Sequence, residues 1–475
     1  MTAPAPGYTA RRVAVNTAAQ AAGKAAVLLV GVASVAVVTR YLGAADYGKL
    51  ALALAFVQML GVLADVGLLT IVVREISRAP ERTEQLVGNA ILLRLALSLG
   101  VIALAALAAL ALGYPTDVRT AILIAGAPLA LGMVNTAIVA VFQSRLLMGR
   151  SAVADVAGRV MAFGAVVAVA ALDLGLYAIV ATTAVGAAVT LAVSWALARR
   201  IVAIRPRAQR RVWRTLLAAS IPVGLTLAVN EIYFRADTFI LSLFRDYDEV
   251  GGYALAYRIV ELLAIFPAIV MTSVFPVLSR YLEQERALAR RVVDAAAGVF
   301  LAVALPVAVG GLFAAPAVID LLGGGGFDAA VTPLRILLFA GGLAALSGLL
   351  GYMLIAAGRQ RSALWLSLVA LVLNLALNFA LVPSLGADAA AAVALGSELV
   401  LLVGGVVLVR RHLRLVPRAS TLWPSLLAAG AMAAALWASG TESLAVLLPL
   451  GIAVYAAVLY LAGGIDRGAI AALRS

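Results

Sequence analysis

Apolar residues fill this chain in runs of about twenty, separated by short polar connections. The runs begin near Val13, Tyr47, Leu86, Arg119, Ala152, Tyr177, Trp213, Val250, Val292, Ala330, Ser362, Ala387, Leu422 and Ser443. A run of about 20 apolar residues is the length an α-helix needs to cross the hydrocarbon core of a bilayer. The pattern therefore predicts an all-α integral membrane protein of about fourteen transmembrane helices. The connections carry turn residues, as in "YLGAADYG", "GYPTD", "LDLG", "RDYDEVGG" and "LGGGGFD". The last two runs also fit a re-entrant pair.

Charge adds an orientation. The N-terminus and every second connection after it, counting the C-terminus, hold 26 of the 36 lysines and arginines; the opposite connections hold only Arg40, Lys49, Arg119 and Arg245. By the positive-inside rule this alternation places both termini in the cytoplasm. The net charge of +13 is thus a topology signal, and nucleic acid is not expected as a partner. The largest basic cluster, "RRIVAIRPRAQRRVWR", is placed to meet anionic lipid heads.

The same cluster divides the chain into similar halves. "DYGKLALALAFVQML" (Asp46–Leu60) aligns with "EVGGYALAYRIVELL" (Glu249–Leu263) at a constant offset. "LLMGRSA" (Leu146–Ala152) parallels "IAAGRQRSA" (Ile355–Ala363), and each is followed by an apolar run and then "LG", at 174–175 and 385–386. Six helices separate the copies, so they are parallel repeats about an axis along the membrane normal. The expected organisation is a six-helix bundle over 1–205, a second over 206–414, and an additional helix pair over 415–475. In such proteins substrate sites lie at the repeat interface near mid-membrane.

Composition narrows the chemistry. Hydrophobic residues make up 64% of the chain and charged residues 12%, too few charges for a soluble domain. No cysteine is present, which excludes disulfides, thiolate metal sites and cysteine nucleophiles. His412 stands alone among arginines and reads as a solvated loop residue. "LGGGGF" lacks the Lys-Ser/Thr of a P-loop. With no nucleophile–base pair and no metal constellation, no enzyme activity and no cofactor are expected.

The residues that interrupt the runs are the candidates for function, because ionisable groups in hydrocarbon are costly. At 1.5 Å per residue, Lys24 falls about 16 Å from the inner end of its helix, near mid-membrane, and Glu231 and Glu261 lie at similar depths. Arg235 and Arg258 fall about 12 Å from the outer ends of theirs. Lys24, Glu231, Arg235, Arg258 and Glu261 are the expected cavity residues. Arginine forks suit phosphate and carboxylates suit sugar hydroxyls. The spacings also allow a plainer role. Glu231 and Arg235 are i, i+4, as are Asp155 and Arg159, and Arg258 and Glu261 are i, i+3; such pairs can simply neutralise each other. Lys24 has no acid in its own helix. Asp65 and Asp237 are candidates for ion coupling, although Asp65 reads first as a structural cap beside Gly67 and Arg74. Asn374 and Asn378, again i, i+4, read first as interhelical hydrogen-bond glue. Pro222, Pro267, Pro276 and Pro306 fall inside helices, where a missing donor bends the chain.

The stretch Arg40–Arg78, "RADTFILSLFRDYDEVGGYALAYRIVELL" and "LVLNLALNFALVPSLGADAAAAVALGSELV" resemble the bacterial oligosaccharide flippase family of the multidrug/oligosaccharidyl-lipid/polysaccharide exporter superfamily. The resemblance covers nearly the whole chain. It implies two bundles that alternate between inward- and outward-open states in the bacterial plasma membrane. It implies a cargo sugar chain on a polyprenyl (pyro)phosphate carrier, and partners among membrane lipids and the polysaccharide polymerase and glycosyltransferase machinery. In related lipid-linked precursor flippases, basic residues on the first, second and eighth helices bind the phosphates. Lys24 and Arg258 match that pattern, whereas the second helix offers only Asp65. Two rivals share the fold, a peptidoglycan-precursor flippase and a multidrug/cation antiporter. A membrane glycosyltransferase would need a long outer loop bearing catalytic acids, which the runs leave no room for.

Overall fold

The computed structural model describes the backbone of residues 6–464 and the side chains from residue 29 onward, apart from those at 222, 223, 226, 227, 230, 283 and 419. Every regular element among these residues is helical, as a bilayer requires: with no water available, each backbone N–H must find its carbonyl within the same segment. The chain is a multi-pass integral membrane protein. Eleven helical stretches among the described residues are long and apolar enough to cross a membrane. Two of them hold a glycine break. The expected total of fourteen is reached only if each of those two counts as two crossings and the helix Arg210–Phe244 is added.

Packing divides the chain into two compact units, Met1–Arg235 and Ala236–Ser475. The division falls inside a helix and not at the basic linker near residue 205. The first unit contains α1 (Pro6–Asp65), α2 (Leu68–Arg78), α3 (Thr83–Ala111), α4 (Thr116–Ser144), α5 (Met148–Ala171), α6 (Gly175–Ala198) and most of α7 (Arg210–Phe244). The second holds the end of α7, then α8 (Tyr247–Leu263), α9 (Ile265–Gln284), α10 (Arg286–Gly323), α11 (Val331–Ala356), α12 (Gln360–His412), α13 (Ala419–Ser439) and α14 (Leu444–Leu461).

The first unit's core joins α2, α3, α4 and α7 through Leu68, Ile71, Val72, Leu86, Val87, Ala137, Val141 and Leu216. In the second unit, Val274, Leu278, Val293, Phe300, Leu349 and Met353 bind α9, α10 and α11. The C-terminal pair is part of this unit: Ala428, Met432, Leu436, Leu447 and Tyr455 pack with Ala314 of α10.

Glycine sets the breaks. α1 turns at Gly43 (φ 71°, ψ 178°) and α12 at Gly386 (φ 64°, ψ −142°), conformations closed to residues with a Cβ. Gly175, the other "LG" glycine, also has positive φ, at 78°. Each unit ties these turns to the connection that the repeat places opposite them. In the first, Tyr41 Oη donates to Asp173 Oδ1 at 2.9 Å and accepts the Gly175 N–H at 2.7 Å. In the second, Glu249 Oε1 accepts the Ala387 N–H at 2.6 Å while Oε2 receives Arg245 Nε at 2.7 Å. The position is the same; the chemistry differs. Proline acts where expected at Pro267: without its N–H, the carbonyl of Leu263 loses its partner, and α8 gives way to α9 at Ala264. Pro276 and Pro306 lie within α9 and α10. The side chain of Pro222 is outside the described residues.

Candidate functional site

Membrane helices carry the candidate residues, and helical spacing decides their first contacts. Arg235 Nε donates to Glu231 Oε1 at 3.3 Å, with the side chains 24% and 34% exposed. Arg258 Nη1 donates to Glu261 Oε2 at 2.8 Å, at 42% and 25% exposure. The first pair belongs to the first unit and the second pair to the second. Both are therefore mutually neutralised, as their i, i+4 and i, i+3 spacings allow, yet each keeps accessible surface for a further ligand. Asp155 and Arg159 have the same spacing but do not close to salt-bridge distance; both are exposed. The side chain of Lys24 lies outside the described residues.

Asp237 is different. It is 3% exposed, and its neighbours Tyr253, Asn374 and Asn378 are 1% exposed or less. Tyr253 Oη donates to Asp237 Oδ2 at 3.0 Å and Asn378 Nδ2 to Oδ1 at 2.8 Å. The same Asn378 amide reaches the Asn374 carbonyl at 3.0 Å and its Oδ1 at 3.1 Å, and Asn374 Nδ2 donates to Ser397 Oγ at 3.2 Å. Asn378 Oδ1 is buried with no hydrogen-bond partner. Among the described residues no lysine or arginine forms an ion pair with Asp237. A buried carboxylate beside an orphaned amide oxygen is a set of hard oxygen donors suited to a small cation. Asn378, expected as glue between helices, bonds this carboxylate from α12 to α7, and Asn374 bonds Ser397 across the Gly386 break in α12. Ser397 was not singled out, although the polar "GSE" inside an apolar run marks its position. The next residue, Glu398, is 7% exposed and accepts from Ser347 Oγ at 2.9 Å.

Asp65 receives Arg94 Nη2 at 2.8 Å, and the Arg94 side chain is 0% exposed. Arg74 bonds Glu75 instead. Removing the Asp65 carboxylate would strand a buried guanidinium, so the pair ties the end of α1 to α3. Sequence reasoning passed over Arg94, though it is the only charge in the run from Leu86 to Leu112. That isolation was the available signal.

Among the described residues no cluster of His, Cys, Asp and Glu could hold a metal ion by itself. Comparison with known proteins gives the fold a setting. The family described as "Polysaccharide biosynthesis protein" matches residues 13–282, and that described as "MatE" matches residues 222–380. Among curated proteins, no relative matches the chain. Among solved structures, the chain is similar to a lipid II flippase MurJ in an inward closed conformation. The TM-score is 0.77 at 12% identity, over 94% of this chain and 97% of that one. It is also similar to a multidrug resistance MATE family transporter of the MOP superfamily. The inward-facing form gives a TM-score of 0.62 at 16% identity, over 82% of this chain and 94% of that one. The outward-facing form gives 0.54 at 15% identity, over 82% and 95%.

Proposed function

The chain belongs to the polysaccharide biosynthesis protein family, and from that premise we propose that it is a flippase for lipid-linked oligosaccharide. It carries a sugar chain on a polyprenyl (pyro)phosphate from the cytoplasmic to the outer leaflet by alternating access. In this reading it works in the bacterial plasma membrane, termini in the cytoplasm, alongside glycosyltransferases and a polymerase.

The observation that carries the reading is the pair of half-exposed arginine–carboxylate couples on membrane helices, one in each unit. A guanidinium already paired on one edge still presents donors to a phosphate, and its carboxylate accepts from sugar hydroxyls. Lys24, the lone cation of the first run, is the third proposed contact. A cationic drug would require acids to dominate, and here Glu231 and Glu261 are each matched by an arginine. Ion coupling is assigned to Asp237 with Asn374 and Asn378: a small monovalent cation entering that buried oxygen cluster changes the packing of α7 against α8 and α12.

The test is translocation in proteoliposomes loaded with polyprenyl-pyrophosphate oligosaccharide, lipid II or a cationic dye. Translocation of the first, lost in Lys24→Glu at unchanged protein abundance and retained in part by Lys24→Arg, is the expected result. Transport of lipid II alone would move the assignment to the peptidoglycan precursor, and dye export alone would end the flippase reading.

A further inference from the structure

The second apolar run is interrupted where its sequence gives no proline. From Leu29 to Arg78 the chain is apolar enough for the membrane, yet α1 stops at Asp65 and α2 begins at Leu68. Both residues between are left-handed, Val66 at φ 43° and Gly67 at φ 73°. Gly67 takes that conformation without a steric penalty. Val66 does not: a β-branched residue at positive φ is strained. Local bonding does not offset this, since the first bond of α2, Ile71 N–H to the Gly67 carbonyl, is stretched to 3.4 Å. Strain of this kind persists only where the surroundings impose it.

Two contacts impose it. Arg94, wholly buried on α3, donates to the Asp65 carboxylate at 2.8 Å and holds the last residue of α1. Its Nε is buried without a hydrogen-bond partner, so the guanidinium has unused capacity on the same side chain. Gly224 of α7 lies against the break itself: a Cβ there would stand 2.7 Å from both C and Cα of Val66. That approach is closed to any residue but glycine. α2, meanwhile, is anchored, with Leu68, Ile71, Val72 and Ile76 buried in the core shared with α3 and α4.

We infer that Asp65–Val66–Gly67 is a hinge in the second membrane run, clasped by Arg94 and seated on Gly224, about which the α1 segment after Gly43 changes its angle to the anchored α2. The strained valine is what makes the hinge two-state. The bent form stores strain that straightening releases, while the Asp65–Arg94 bond and the Gly224 contact favour the bend. A glycine at 66 would leave the bend unopposed by strain. Such a hinge serves an alternating-access carrier, the reading given above. Its test needs no cargo, so either idea can fail without the other.

The absence of cysteine allows clean labelling. Spin labels at Gln58 and Ser77, both exposed, lie about 28 Å apart along the axis of an uninterrupted helix. Pulsed dipolar spectroscopy in nanodiscs is expected to show two distances, one near that value and one shorter. Val66→Gly, by removing the strain, shifts the ratio toward the shorter distance by about tenfold. Gly67→Ala, which adds a Cβ penalty at the second left-handed residue, shifts it toward the longer. Gly224→Ala alters the ratio, whereas Gly132→Ala, where an added Cβ meets nothing within 4 Å, leaves it unchanged. A single distance that Val66→Gly does not move would overturn the hinge and make the break a static kink. Should Gly224→Ala fail to fold, Val66→Gly decides alone, because it removes atoms and strain and adds neither.

Discussion

At the scale of single residues, this protein is governed by the cost of charge away from water. Arg94 is the extreme case, fully buried with one carboxylate partner. Removing that partner alone leaves an uncompensated cation, so Asp65→Asn should cost about 3–5 kcal/mol of stability, while Asp65→Asn/Arg94→Met should recover most of it. Thermal unfolding in detergent checks this; a double variant no better than the single would mean that Arg94 finds another acceptor. The Glu231–Arg235 couple poses the reverse question, because its groups are a quarter to a third exposed and already in contact. If cargo binds there, Glu231→Gln/Arg235→Gln should transport no better than the worse single variant, when normalised to folded protein. Full recovery in the double variant would reduce the pair to mutual neutralisation. Glu231, Arg235, Arg258 and Glu261 could all be picked from the sequence because their immediate partners lie one helical turn away. The surroundings of Asp237 could not, since its partners come from α8, 16 residues along the chain, and from α12, 141 residues along.

At the scale of elements, glycine decides how closely backbones meet. Residues 199–209, between α6 and α7, are docked on the start of α3. The Arg207 N–H donates to the Gly88 carbonyl at 3.1 Å, the Gln209 N–H to Asn89 Oδ1 at 2.8 Å, and Arg207 Nη2 to Glu84 Oε1 at 2.9 Å. A Cβ on Gly88 would collide with the Arg205 carbonyl. Gly88→Ala should therefore lift the linker and destabilise the first unit by about 1–3 kcal/mol. Faster hydrogen exchange confined to 199–209 and the first turns of α3 would report it, and an unchanged exchange map would show that the linker accommodates the methyl. The sequence marks this segment as a basic connection. That it is pinned rather than free depends on contacts more than a hundred residues apart, which periodicity does not encode.

For the whole molecule, the alternation of basic connections makes a prediction that the helix pattern alone does not. Single cysteines at Ala45 and Ser384, introduced into a chain without any, should react with an impermeant maleimide in intact cells. One at Ala208, beside the docked Gln209, should react only after permeabilisation. Labelling of Ala208 in intact cells would reverse the orientation. The packing division at Arg235 also differs from the boundary that composition suggests near 205. Charge and turn residues mark where the chain leaves the apolar phase, but compact units are set by which side chains pack together, and most of α7 packs with the first.

The sequence by itself determined the helical class and the spacing of the membrane runs. These are local quantities, set by run length, by the 1.5 Å rise per residue and by the requirement that backbone groups bond within their own segment in lipid. Tertiary structure alone decided what each charge faces. Depth along a helix does not give the direction of a side chain's neighbours, so Asp65 and Asp237 looked alike as carboxylates within apolar runs. Packing then separated them: the first pairs with a buried guanidinium at a strained break, and the second lies among neutral hydroxyl and amide groups.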